Sequence, residues 1–123
     1  MSTNKKPVNQ KFQPGSGKAG RFIQPTLLLG LKIKTSYGYE LIQSLQKFGF
    51  VRGQAPPGMI YRHLRALEAD GLVRSEWQTE GTGPARRIYR LTAEGEEVLR
   101  LWIEYMEKQA DNLMRFIEAY KAL

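Results

Sequence analysis

The 123-residue chain contains no cysteine. Disulfides, thiolate zinc sites and a cysteine nucleophile are therefore excluded. It contains one histidine, His63, so a histidine metal cluster is excluded and a Ser-His-Asp triad would have to be built on that residue. No carboxylate stands three or four residues from His63, and no glycine-rich phosphate loop is present. A non-enzymatic protein without a cofactor is expected. Long apolar runs are also missing. The longest, Leu27 to Leu31, includes Gly30 and falls far short of the roughly 18 residues that cross a bilayer. No apolar stretch follows the first lysines, so no secretory signal is read there. A cytoplasmic protein with no membrane partner is the expectation.

Acidic residues are absent from residues 1–21, which carry Lys5, Lys6, Lys11, Lys18 and Arg21. Residues 22–90 are again net +5, whereas residues 91–123 are net −3. The chain has a basic front and an acidic back, with an overall charge of +7. Such a balance suits a polyanion, and nucleic acid is the commonest one in a cytoplasm. Residues 1–21 are rich in polar residues, glycine and proline and poor in apolar ones. They are expected to form a disordered basic arm.

Ordered sequence is expected from Phe22. Pro25 suits a first helical turn, and Leu27, Leu28, Leu29, Leu31 and Ile33 follow. A helix apolar nearly all round is buried, here in part against another chain, with Leu28 as a contact. A second helix is predicted from about Tyr37 to Phe48, with Leu41, Ile42, Leu45 and Phe48 at helical spacing and Gly49 as its stop. Residues 49–56 form a loop. Pro57 opens a third helix with Met59, Ile60, Leu64 and Leu67 on one face and Tyr61, Arg62 and Arg65 on the other. Gly71 closes it. Leu72–Gln78 and Arg86–Leu91 alternate as two strands of a hairpin, with Val73, Ser75 and Trp77 sharing a face. Thr92 is a good N-cap for a helix running to Leu123, about 46 Å long. Leu99, Trp102, Met106, Gln109, Leu113, Phe116, Tyr120 and Leu123 repeat at 3-4 spacing along it. That is a coiled-coil seam, and it requires a partner helix. A homodimer is inferred, with Leu28, Leu99, Trp102, Met106, Leu113, Phe116 and Tyr120 at its interface.

Three helices followed by a hairpin is the order of a winged helix-turn-helix. The fold class is mainly α (α+β), with residues 22–91 as the winged domain and residues 92–123 as a dimerisation helix. In that fold the third helix enters the major groove of double-stranded DNA and the hairpin lies along the backbone or minor groove. Arginine forks bind phosphate or guanine in bidentate fashion. Tyr61, Arg62, Arg65, Arg86 and Arg87 are thus the candidate DNA contacts, supplemented by Lys18 and Arg21 of the arm. Plainer readings stand beside these. Arg62 and Arg65 could form a solvated face pairing Glu68 or Asp70, and Arg86 and Arg87 could be strand-edge charges. Tyr61 suits burial as well as it suits a phosphate. Trp102, Tyr105 and Met106 are candidates for a small-molecule effector pocket, although Trp102 and Met106 read first as core or seam.

Several segments together resemble the PadR family of bacterial transcriptional regulators, over about Leu27–Leu101. They are Tyr37-Gly38-Tyr39-Glu40-Leu41-Ile42, the run from Pro57 to Glu68, Gly71-Leu72-Val73, Trp77, the run from Gly83 to Thr92, and Gly95. Phe22-Ile23-Gln24-Pro25 and Tyr61-Arg62-His63-Leu64 further resemble the branch of polyhydroxybutyrate-responsive repressors. The resemblance implies a dimeric winged-helix repressor bound to an inverted repeat, of the short branch with one C-terminal helix. Two departures remove hydroxyls near the start of the third helix: Pro56 stands where many relatives have a capping serine, and Met59 stands in place of threonine. The helix dipole is left to do that work. A second class stays open, in which the basic surface binds an acidic protein.

Overall fold

The computed structural model describes residues 6–12, 14, 22–45, 57–79, 81 and 83–123. Its elements are α1 (Val8–Lys11), α2 (Ile23–Ile33), β1 (Ser36–Tyr37), α3 (Gly38–Leu45), α4 (Pro57–Ala69), β2 (Val73–Gln78), β3 (Arg86–Leu91) and α5 (Ala93–Lys121). The predicted end of the second helix at Phe48, the Gly49 stop and the 49–56 loop lie outside the described residues.

The apolar circumference of α2 is satisfied within the chain. Ile23, Leu27, Leu28 and Leu31 are buried, because α3, α4, α5 and β3 all pack around this helix. Leu28 therefore has no surface to offer a partner. The α2 side chains left outside are Leu29, which is partly buried, and Ile33, which is exposed. From α4, Ile60, Leu64 and Leu67 join the same core, with Leu72, Val73 and Tyr89 from the hairpin.

α4 ends as its sequence requires. Gly71 takes φ +76°, the left-handed conformation that a glycine adopts without penalty. Gly71 N donates to Glu68 O at 3.0 Å and Leu72 N to Leu67 O at 2.9 Å, the paired bonds of a Schellman cap. The hairpin follows in regular antiparallel register, from Val73 opposite Leu91 to Gln78 opposite Arg86. Ser36 and Tyr37, expected to be a helix boundary, instead add a third strand on β3, opposite Tyr89 and Ile88. The sheet order is β1-β3-β2. Two residues are too few for a period-two pattern, so only the pairing reveals this strand.

Thr92 caps α5. Its hydroxyl accepts from Gly95 N at 3.0 Å and donates to Gly71 O at 2.7 Å. The helix is 29 residues long, about 44 Å. Its first three turns bury Val98, Leu99 and Trp102, and its far end is exposed throughout.

The expectation of a disordered arm is corrected over its described part. Val8–Lys11 forms one helical turn packed against α5. Lys11 is buried and ion-paired with Glu94, and Phe12 meets Trp102 edge-on at 5.0 Å. Apolar residues too sparse to make a core of their own are sufficient to dock on one already formed.

Gly95 has no room for a side chain, since an added Cβ would lie 2.1 Å from Leu72 O. The obstacle is backbone and cannot swing aside. Gly95→Ala is expected to destabilise the fold by about 1–3 kcal/mol, read as a lower urea midpoint at unchanged slope.

Candidate nucleic-acid interface

α4 and the hairpin meet along one face. Tyr61, Arg62 and Arg65 lie on α4; Arg86 and Arg87 open β3. Tyr61 is half-buried and packs against the core, while the four arginines are exposed. Tyr61 sits flush with the start of α3 only because residue 38 is glycine. A Cβ there would lie 2.5 Å from Tyr61 Cε1. Arg65, Arg86 and Arg87, together with Tyr61, line a cleft of about 590 Å³ between α4, β1 and the hairpin. Arg62, exposed on the same helix, does not line it. Lys18 and Arg21 lie outside the described residues.

Neither Glu68 nor Asp70, the carboxylates that could have paired the helix arginines, forms an ion pair with Arg62 or Arg65. Glu68 accepts from Ser75 N at 3.0 Å and from Ser75 Oγ at 3.0 and 2.8 Å, tying α4 to β2. On the hairpin, Glu76 pairs with Arg90 at 3.4 Å. Among the described residues no carboxylate forms an ion pair with Arg62, Arg65, Arg86 or Arg87. Exposed arginines that no carboxylate among the described residues pairs with make a face suited to an anion.

Aromatic residues outside the sequence-derived site complete the cleft. Tyr37 and Tyr39 stack at 5.7 Å with an interplanar angle of 4°. The Arg86 guanidinium lies 5.9 Å from the Tyr37 ring, and its Nη1 donates to Tyr39 Oη at 3.4 Å. Tyr37 Oη donates to Gln78 Oε1 at 2.6 Å, which binds the base of α3 to the hairpin. Trp77 shares the Val73 and Ser75 side of β2 as expected but is 59% exposed, and Arg87 lies over its ring at 5.0 Å. The Tyr37-Gly38-Tyr39 run was visible in the sequence, but its place beside the arginines follows from β1 pairing with β3.

Residues 27–101 match the Transcriptional regulator PadR-like family. The chain belongs to that family. It is a family of transcriptional regulators, not of enzymes. Transcriptional regulator Rv3488 of Mycobacterium tuberculosis is 43% identical over 63 residues, covering 51% of this chain and 55% of that protein. The match thus spans about half the length of this curated relative. The crystal structure of TM0937, a conserved protein of unknown function and potential transcriptional factor, is 35% identical. It superposes with a TM-score of 0.74 over 89% of this chain and 96% of that one. Bacillus subtilis PadR in complex with operator DNA shares the fold, with a TM-score of 0.59 and 23% identity over 68% of this chain and 47% of that one. No helix among the described residues is long and apolar enough to cross a membrane.

The remaining expected site residues of this PadR-like chain divide. Leu99 and Trp102 are buried in the subunit's own core, Trp102 to 2% exposure, so they drop out of the expected dimer seam together with Leu28. Met106 is partly buried against the core. Leu113, Phe116 and Tyr120 stand free on α5. Around Trp102 and Tyr105, where an effector pocket is expected, rings of the same chain pack edge-on. Phe12 lies 5.0 Å from Trp102 and 6.0 Å from Tyr105, and Phe22 lies 6.3 Å from Trp102.

His63, also on α4, is half-buried. Burial, and then the adjacent Arg62 charge, lower its pKa from 6.5. The unfolded chain therefore takes up this proton first. The stabilisation is complete above about pH 6.5 and is lost as pH falls towards the folded pKa. Urea midpoints measured from pH 8 to pH 5 are expected to decline below about pH 6.5, and His63→Gln is expected to flatten that decline.

Proposed function

We propose that this regulator is a repressor that binds an inverted-repeat operator as a homodimer. It would act in the cytoplasm on the nucleoid and be released by an effector. The observation that carries the reading is the convergence of Arg65 from α4 with Arg86 and Arg87 from β3 on one face, with no ion-pairing carboxylate among the described residues. Arginine forks read guanine edges or grip phosphates. Two such faces related by a two-fold axis engage successive major-groove turns about 34 Å apart. The operator complex of Bacillus subtilis PadR supports this use of the fold.

Dimerisation follows from what α5 cannot bury alone. Leu113, Met114, Phe116, Ile117, Tyr120 and Leu123 are exposed on its far half, an apolar surface that a single subunit does not carry without a partner. Of the expected seam, only the part beyond Met106 is available to a second copy of α5. Leu29 and Ile103 border a cavity of about 510 Å³ between α2 and α5, which extends the apolar surface towards α2.

Arg65→Ala is expected to weaken operator binding by about 1–3 kcal/mol, roughly five- to 150-fold, if Arg65 reads a base. Gel-shift titration on fragments selected from genomic DNA checks this, and unchanged affinity removes Arg65 from the interface. Phe116→Glu is expected to convert a sedimenting dimer into a monomer without loss of helical signal, because Phe116 is 77% exposed in the single chain. A chain that sediments as a monomer before substitution contradicts the dimer.

A further inference from the structure

The cleft between α4 and the hairpin is more elaborate than a backbone grip needs. A phosphate contact requires only donors on a protruding surface. Here the three arginines stand around a recess of about 590 Å³, within the range of small-molecule sites. Aromatic side chains dominate its lining: the parallel Tyr37–Tyr39 pair, Trp77, Tyr61 and Tyr89. Gly38 and Ala85 leave the remaining border without bulk. In a duplex the bases are stacked on one another, and the sugar–phosphate chain has no π-surface to lay on these rings. The walls call for a planar ring. The border calls for more than one negative charge, since a single carboxylate would leave at least two guanidinium groups uncompensated. Arginine forks match phosphate in bidentate fashion.

We propose that this cleft binds a free nucleotide, with the base against the Tyr37–Tyr39 pair and the phosphate held by Arg65, Arg86 and Arg87. Stacking of a base on tyrosine or tryptophan combined with arginine contacts to phosphate is the physics of single-strand recognition, here contained in a recess sized for one ligand. The regulatory consequence rests on the operator-binding reading above. The same arginines serve both anions, so nucleotide and operator exclude each other, and a bound nucleotide shifts the chain away from DNA. The site itself does not depend on that reading.

The test is calorimetric titration of the unmodified full chain, without DNA, at about 0.15 M salt. The probes are each of the four ribonucleoside 5′-monophosphates, the matching nucleosides and inorganic phosphate. At least one nucleotide is expected to bind at least about tenfold more tightly than its own nucleoside and than phosphate. Tyr39→Ala and Arg86→Gln, both at exposed positions, are each expected to weaken it at least about fivefold. The inference is overturned if no nucleotide outbinds phosphate, or if Tyr39→Ala leaves nucleotide affinity unchanged. A chain that shifts operator DNA but binds no nucleotide overturns the cleft and leaves the DNA reading standing. A chain that binds nucleotide through Tyr39 and shifts no DNA supports the cleft and overturns the DNA reading.

Discussion

The geometry of the molecule depends on one backbone crossing, where the end of α4, the base of the hairpin and the start of α5 meet. Leu72 O accepts from Thr92 N at 3.1 Å. Thr92 Oγ1 donates to Gly71 O, and Gly95 lets α5 lie against the Leu72 carbonyl without a side chain between them. Each contact is a modest hydrogen bond or a missing methyl group. Together they set the direction in which α5 leaves the winged domain. In a symmetric pair, that direction determines the separation and tilt of the two α4 helices.

The charge of the α4 face is a consequence of where the carboxylates are used. Glu68 could have neutralised Arg65 one helical turn away. Its bonds to Ser75 serve to seat the helix on the sheet instead, and Glu76 is taken by Arg90. The packing that holds the face in shape therefore also leaves its arginines available. Tyr37 and Tyr39 are brought to the same place by the two-residue strand, whose only long-range anchor in the sheet is β3. Fold and surface chemistry are coupled through these few polar contacts.

α5 divides its apolar repeat between two tasks. The near part, Leu99 and Trp102, completes the core of its own subunit with the help of Phe12 and Phe22. The far part is left exposed by the described residues. A uniform 3-4 spacing does not mark that division, because periodicity gives the face of a helix and not what covers it. The same limit explains why Trp102 belongs to the core and Trp77 to the surface, although both stand in well-patterned apolar positions.

The sequence by itself determined the order and type of the main elements: three helices, a hairpin and a long capped helix. It did so because caps, glycine stops and apolar spacing are local physics, as at Thr92 and Gly71. It also determined that arginines recur on the third helix and at the start of the second strand, and the combination of motifs pointed to the PadR family. Only the tertiary structure decided which apolar residues are satisfied within one subunit, that part of the basic arm docks through Lys11 and Phe12, and that Tyr37, Tyr39 and Trp77 join the arginines around one cleft. Those outcomes depend on pairings between residues far apart in the chain, chosen by the competition of many weak contacts for the same surfaces, and no local pattern records the result of that competition.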